Sequence, residues 1–224
     1  METEAGNQIV FRNREQAAKA LVEALRSYRG KNPLILAIPR GAVPMAKILA
    51  EDLEGELDVV LVHKLGAPGQ PELAIGAVDE TGFVYWADHA RAMGIPQEYL
   101  QSEKEEQLTL LRKRRAQYTP IRPPIDPEGR ITVVLDDGIA TGSTMIAALQ
   151  ALRAKNPSKL IAATAVSPPE TLRRLGNYAD EVVCLAAPGD FYAVGQFFED
   201  FSPVSDSEVI QILANYGNSL QKER

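Results

Sequence analysis

Two adjacent carboxylates mark the segment best suited to chemistry, ITVVLDDGIATGST, at residues 131–144. Asp136 and Asp137 directly follow a continuous apolar run, which predicts that they stand at the end of a buried strand. Open α/β sheets bind their ligands at the carboxyl ends of strands. Because two unpaired neighbouring carboxylates repel each other, we expect a divalent cation or the cis diol of a ribose to meet them.

The residues after the acid pair are small and rich in hydroxyls, as expected of a loop that approaches a phosphate. Thr141, Ser143 and Thr144 supply hydroxyl donors, while Gly138 and Gly142 permit close approach and unusual backbone angles. A predicted helix follows, and its first N–H groups and dipole favour an anion. This is not a Walker A loop, because Ser143 stands where that motif has lysine. A capped strand–turn–helix without a ligand explains Gly142 and Thr144, but not the acid pair.

The rest of the chain alternates apolar strands with amphipathic helices, which predicts an α/β fold with a mainly parallel sheet. The predicted strands cover residues 34–38, 57–62, 131–135, 160–166 and 181–186. The predicted helices cover residues 12–28, 43–53, 144–154, 168–175 and 205–214. Asn13 and Ser205 are the expected N-caps of the first and last of these helices, each followed three residues later by Gln or Glu.

Two regions interrupt this alternation. Residues 63–76 contain several glycines and prolines and predict an exposed, mobile loop, after which residues 73–78 and 83–86 pair as short antiparallel strands. Residues 80–125 are interpreted as a mostly helical insertion between two halves of one sheet. The basic run at residues 112–115 is interpreted as the solvated end of its long helix rather than a nucleic-acid patch.

Composition fits one globular domain over residues 1–224, with residues 187–224 as a C-terminal hood segment and helix. The chain has 224 residues and a formal charge of -6, which argues against duplex DNA or an anionic membrane as a bulk partner. Its single cysteine, Cys184, lies in an apolar run and predicts a core position. The acidic first residues lack the features of a signal peptide, and no apolar run reaches about 18 residues, so a cytoplasmic location is expected.

The stretch VVLDDGIATGST, at residues 133–144, resembles the phosphoribosyl-pyrophosphate (PRPP) binding signature of type I phosphoribosyltransferases. Both contain an apolar strand, two acids, two variable residues and a small-Thr-Gly-x-Thr loop. The layout of the remaining elements agrees with the three-layer α/β fold of that family, with a small helical and hood subdomain. The elaboration resembles a bacterial branch distinct from the familiar base-salvage enzymes.

The resemblance implies transfer of a phosphoribosyl group from PRPP, the co-substrate, to a small-molecule nitrogen acceptor, as in nucleotide salvage. Asp136 and Asp137 would hold the ribose hydroxyls and, partly through water, Mg2+. Lys64, at the start of the predicted loop, would meet the leaving pyrophosphate; a solvated loop lysine is the equally weighted alternative. The turn at Arg40 and Gly41, after the first predicted strand, resembles the family's pyrophosphate loop, in which glycine lets backbone amides reach the leaving group; taken alone, these residues indicate only a turn. Besides the acid pair, the implied PRPP-binding residues are Arg40, Gly41, Gly138, Ile139, Ala140, Thr141, Gly142, Ser143 and Thr144.

The acceptor and its base are less well defined. Ala140 stands where many purine members of the family carry a third acid that assists proton transfer; adenine-type members also carry alanine there. A hypoxanthine/guanine-type mechanism is therefore disfavoured, and Glu72 becomes the candidate general base. Phe191 or Tyr192 could stack on an acceptor ring, and packing with the aromatic residues at 197–198 is the alternative.

Two further hypotheses compete with a catalytic function. One is a non-catalytic regulatory protein of the same fold that senses PRPP or a nucleotide, and the other is a plain phosphosugar-binding protein. Family analogy adds a homodimer. From charge and hydropathy, neither DNA nor a membrane is expected as a partner.

Overall fold

The computed structural model describes residues 10–86, 90, 93–120 and 124–222, with side chains at all of these positions except 71, 72, 74, 85 and 217–222. The strands within this range are β1 (Leu34–Ala37), β2 (Glu56–Val59), β3 (Val62–Ala67), β4 (Gln70–Asp79), β5 (Val84–Trp86), β6 (Ile131–Asp136), β7 (Lys159–Val166) and β8 (Glu181–Ala186). The helices are α1 (Arg14–Ala24), α2 (Ala42–Asp52), α3 (Gln97–Tyr118), α4 (Ser143–Arg153), α5 (Pro169–Leu175) and α6 (Asp206–Lys222). Short 3-10 turns cover Arg26–Tyr28 and Val194–Phe197.

The central sheet is parallel and has the strand order β2-β1-β6-β7-β8, as the α/β prediction requires. All four residues of β1 are buried, because helices cover both faces of the sheet. Ile35 and Ala37 face the layer formed by α1, α2 and α6, whereas Leu34 and Leu36 face the layer formed by α4 and α5. The predicted three-layer fold is therefore confirmed.

A second, three-stranded antiparallel sheet has the order β3-β4-β5. The predicted loop over residues 63–76 is wrong, because most of it lies in the β3–β4 hairpin, where Lys64 pairs with Ala77. Leu65 and Ile75 are fully buried, so apolar burial organises these strands. Gly69, at the hairpin tip, takes a φ of 70°, which the tight connection requires. The predicted antiparallel pairing of residues 73–78 with residues 83–86 is confirmed, since β4 pairs with β5.

Residues 80–125, interpreted as an inserted subdomain, contain β5 and the 22-residue helix α3, while β3 and β4 also lie between β2 and β6. Arg115, near the end of α3, is not solvated, so the interpretation of the basic run is wrong at this residue. Its Nη1 donates to Asp58 at 2.8 Å, and its Nη2 donates to Glu80 at 2.5 Å and to the Val59 carbonyl at 2.8 Å. The three basic residues before it are exposed. The arginine therefore fastens α3 to the end of β2 and to the turn after β4.

The segment that follows β8 returns to the beginning of the described chain. Phe11 forms a parallel bridge with Phe198, and their rings lie 5.3 Å apart. Ser205 caps α6 by accepting from the Glu208 amide at 3.2 Å, as predicted, although the helix runs further than expected. Among the described helices, none combines the length and apolar character needed to cross a bilayer.

Candidate active site

The turn after β1 and the acid pair at the end of β6 meet at one edge of the sheet. β1 and β6 are parallel neighbours, with Ala37 opposite Leu135, so the two segments leave the sheet at the same end. Gly41 packs so closely on Asp137 that a Cβ at position 41 would overlap the Asp137 carboxylate. Glycine is needed here because of this close approach. The peptide bond between Pro39 and Arg40, in the same turn, is cis.

The two carboxylates of the acid pair have different surroundings. Asp136 accepts a hydrogen bond from the Asp137 amide at 3.0 Å. Burial of its carboxyl, followed by the negative charge of Asp137, raises the pKa of Asp136 well above its usual range. Asp137 instead pairs with Arg14, whose Nε lies 2.8 Å from its Oδ2. Asp137 is therefore compensated by a cation of the chain, while burial and the neighbouring charge disfavour ionisation of Asp136.

Sequence reasoning missed Arg14. This residue begins α1, and its Nη1 also donates to the Ser202 carbonyl at 2.8 Å, while its guanidinium lies 3.9 Å from the Phe201 ring centroid. A local signal did exist, because an arginine in the first turn of a helix opposes the helix dipole and calls for an acid from elsewhere. The sequence did not reveal that this acid is Asp137.

Two carbonyl groups of the loop between β6 and α4 accept hydrogen bonds from side chains of α5. Thr171 donates to the Ala140 carbonyl at 2.7 Å, and Arg174 donates to the Thr141 carbonyl at 3.2 Å. Gly142 has a φ of 77°, in the left-handed region, directly before α4. Holding the carbonyls on the α5 side suits a loop whose N–H groups face an anion. Both residues of α5 were absent from the predicted site, because their contacts with the loop span about thirty positions.

The predicted loop residues do not all present their side chains to a ligand. Ile139 is buried among apolar residues, and its amide donates to the Val166 carbonyl, so it can contribute only through its backbone. Thr141 and Ser143 have hydroxyl oxygens 3.4 Å apart. Gly138 lies against Val194, with which a Cβ would overlap. The turn at Val194–Phe197 thus closes over the start of the loop.

The other predicted residues lie on other elements of the chain. Arg40 pairs with Asp206, Nη1 to Oδ2, at 3.3 Å. Lys64 is half-buried in β3, and Glu72 lies in β4 with its side chain outside the described residues. The ring centroids of Phe191 and Phe197 lie 5.2 Å apart, so Phe191 follows the alternative in which it packs on the aromatic residues at 197–198. Tyr192, in contrast, is 89% exposed. Cys184 is half-buried in β8, where burial raises the pKa of its thiol to about 11, which does not suit a nucleophile.

The acid pair can contribute to a Mg2+ site, but the protein alone does not complete one. Among the described residues, no three His, Cys, Asp or Glu side chains gather into a metal-binding group. Mg2+ in proteins is commonly held by one or two carboxylates together with substrate phosphates and water. Asp136 and Asp137 fit that arrangement, with a phosphorylated ligand supplying the remaining oxygens.

Comparison with known proteins identifies the family to which the chain belongs. The model of the phosphoribosyl transferase domain family matches residues 7–201, and the chain therefore belongs to that family. The crystal structure of TT1426 from Thermus thermophilus is similar, with 43% identity and a TM-score of 0.85 over 92% of this chain and 99% of that one. The resemblance first seen at residues 133–144 is thus confirmed.

Two longer relatives come from Mycobacterium tuberculosis, strains CDC 1551 and H37Rv, and each is provisionally named a phosphoribosyl transferase. Each is 41% identical over 205 residues, which make up 91% of this chain and 46% of the relative. The chain therefore spans about half the length of the curated relatives that it matches.

Proposed function

We propose that the chain is a Mg2+-dependent phosphoribosyltransferase that moves the phosphoribosyl group of PRPP to a nitrogen acceptor and releases pyrophosphate. The observation that supports this most strongly is the contact between Gly41 and Asp137. It brings a turn suited to pyrophosphate against a carboxylate suited to ribose, at the edge from which the Ala140–Thr144 loop also starts. These three parts correspond to the three groups of PRPP.

In this reaction the bond from the anomeric carbon to pyrophosphate breaks, and its electron pair leaves with the pyrophosphate oxygen. A bond from the acceptor nitrogen to that carbon forms, and the proton on the nitrogen passes to a base, for which Glu72 is the candidate. Asp136 and Asp137 orient the ribose hydroxyls. Arg40 and Lys64 stabilise the charge that develops on the leaving group. Mg2+, when bound, adds positive charge to the same group.

The acceptor is proposed to be a nucleobase or another small molecule with a reactive nitrogen. Tyr192, being exposed, is the better candidate for stacking on such a ring, since Phe191 already packs on Phe197. Ala140 leaves its position without an acid, so the proposal does not extend to a hypoxanthine/guanine-type mechanism.

A thermal-shift titration tests binding. PRPP with Mg2+ should raise the melting temperature of the native protein, as expected for a ligand that binds only the folded state. The double variant Asp136→Asn/Asp137→Asn should lose this stabilisation, while Asp126→Asn, which removes an exposed carboxylate elsewhere, should keep it. An unchanged melting temperature in the native protein would reject the proposal.

A screen for turnover follows, with nucleobases and amines as acceptors and pyrophosphate release as the readout. Release that requires both PRPP and an acceptor supports the transferase. Binding without release across a broad panel would favour instead a regulatory protein that senses PRPP through this site.

A further inference from the structure

We propose that Arg14 is a positioning residue of the PRPP site, which holds the Asp137 carboxylate in place for the ribose. This inference rests on the proposed function, because the ligand is taken to be PRPP. It adds a residue from the first turn of α1, far in sequence from both the acid pair and the turn after β1.

Asp137 and Gly41 both lie against Arg14. Its Nε lies 2.8 Å from Asp137 Oδ2, and both side chains are only 13% exposed. The same carboxylate oxygen packs on Gly41, and a Cβ built at Gly41 would lie 3.2 Å from Arg14 Nη2. The guanidinium therefore touches the acid pair and borders the turn proposed to receive pyrophosphate.

The orientation of the guanidinium is fixed from two further sides. Nη1 donates to the Ser202 carbonyl at 2.8 Å, and Cζ lies over the Phe201 ring, 3.9 Å from its centroid. A planar donor fork held in this way restricts the carboxylate that it binds. Asp137 is thus oriented before any ligand arrives, which lowers the ordering cost of binding.

The charge of Arg14 matters as well as its geometry. Without it, Asp136 and Asp137 would be two adjacent carboxylates with little exposure to water, and approach of the anionic PRPP would meet their full repulsion. An arginine at this position opposes the dipole of α1, so helix stability does not explain its presence. Compensation of the negative charge of Asp137 explains why an arginine stands here.

The main alternative is that Arg14 only ties α1 to the chain around Ser202. The two roles differ in whether the effect of Arg14 on PRPP affinity requires the Asp137 carboxylate. A positioning role acts through that carboxylate and disappears when the carboxylate is removed. A structural tie acts through Phe201 and Ser202 and persists without it.

The test measures the dissociation constant of PRPP at saturating Mg2+ by calorimetry. Arg14→Gln should weaken binding roughly tenfold or more, the scale of a charge-assisted hydrogen bond lost. Arg14→Lys, which keeps the charge but not the planar fork, should fall between Arg14→Gln and the native protein. The matched control is Arg29→Gln, which breaks an exposed ion pair with Glu54 and should leave the affinity unchanged.

A double-mutant cycle separates the two roles. In an Asp137→Asn background, Arg14→Gln should change the affinity less than about twofold, because coupled residues are not additive. Phe201→Leu, which removes one of the two supports of the guanidinium but keeps its pair with Asp137, should lower the melting temperature and weaken PRPP binding clearly less than Arg14→Gln does.

Three results would overturn the proposal. They are native-like affinity in a folded Arg14→Gln or Arg14→Lys protein, equal losses from Phe201→Leu and Arg14→Gln, and full additivity with Asp137→Asn. If Arg14→Gln does not fold, Arg14→Lys and Phe201→Leu still decide between the roles. A native protein that does not bind PRPP rejects the proposed function and this inference together, whereas native binding without an Arg14 effect rejects this inference alone.

Discussion

Arg40 and Asp206 form an ion pair between the turn after β1 and the first residue of α6, with Nη1 3.3 Å from Oδ2. Asp206 also accepts a hydrogen bond from the Tyr118 hydroxyl at 2.5 Å, at the last residue of α3. One carboxylate therefore connects the turn to the insertion helix and to the C-terminal helix. An anion that arrives at Arg40 has to compete with Asp206 for the guanidinium.

Asp206→Asn is expected to tighten the binding of pyrophosphate and PRPP by about two- to fivefold. Both partners are about half exposed, at 51% and 55%, so the competition that is removed is worth less than about 1 kcal/mol. The dissociation constant of inorganic pyrophosphate, measured by calorimetry, checks this. Glu208→Gln is the control, since it removes a charge from the same helical turn and should have a smaller effect. Weaker binding in Asp206→Asn than in this control would instead mean that Asp206 holds Arg40 in its binding position.

Gly41→Ala should abolish PRPP binding while leaving a folded protein. The new Cβ would overlap the Asp137 carboxylate, so either the turn or the carboxylate must move away from its place in the site. The expected loss of affinity is at least about a hundredfold, since displacement of about 1 Å in a site can cost that much. Gly189→Ala is the matched control, because its Cβ would meet nothing within 4 Å. Equal affinities of the two variants would contradict the proposed close packing.

Parts of the site that are contiguous in sequence could be predicted from it. The acid pair and the loop after it lie in one run of residues, where an apolar strand, adjacent acids and small residues jointly indicate a phosphoribosyl site. The strand ends could also be placed together, because parallel strands that alternate with helices bring their carboxyl ends to one edge.

Residues brought in from a distance could not be predicted. Arg14, Thr171 and Asp206 contact the site across tens to more than a hundred positions, and no local pattern states which acid an arginine will meet. The glycine and proline content of residues 63–76 predicts a loop, whereas the positions of these residues are compatible with the β3–β4 hairpin. Gly69 lies at the hairpin tip, while Leu65 and Ile75 pack inward on the strands.

Lys64→Ala should lower kcat more than it lowers the affinity for PRPP. The proposed role of Lys64 is to stabilise charge on the leaving pyrophosphate, and an interaction made mainly in the transition state affects kcat. A loss of at least about tenfold in kcat with less than about a threefold change in the dissociation constant is expected. Lys47→Ala, on the exposed side of α2, is the control. Equal losses in both quantities would argue against this role.

Tyr118 is expected to make the protein less stable at alkaline pH. Burial, followed by the hydrogen bond to Asp206, raises the pKa of Tyr118 from 10.0 to about 12. Between these values the unfolded chain has lost the phenol proton while the folded protein keeps it. The folded state then binds more protons, so the free energy of unfolding falls as the pH rises from 10 to 12.

Tyr118→Phe removes this ionisation and should flatten the decline by roughly 2 to 3 kcal/mol over that interval. Urea unfolding at a series of pH values measures it. Tyr192→Phe is the control, since Tyr192 is 89% exposed and its removal should leave the slope unchanged. An identical alkaline slope in the native protein and in Tyr118→Phe would show that the buried phenol does not control it.

Arg115→Met should destabilise the protein by about 3 to 5 kcal/mol, because it removes a cation from a buried carboxylate. Asp58 is only 1% exposed and accepts from Arg115 at 2.8 Å, so loss of the guanidinium leaves its charge less compensated, although the Val59 and Ile125 amides still donate to it. Arg114→Met removes the neighbouring exposed charge and should change the free energy of unfolding by less than about 0.5 kcal/mol. Urea unfolding of the two variants gives this comparison directly.

The double variant Asp58→Asn/Arg115→Met identifies the cause of that loss. It removes the buried carboxylate together with its partner, so it should be more stable than Arg115→Met alone, although Glu80, which is also a partner of Arg115, keeps the recovery incomplete. A double variant that is less stable than Arg115→Met would mean that the packing of the arginine stem, rather than its charge, fastens α3 to the sheet.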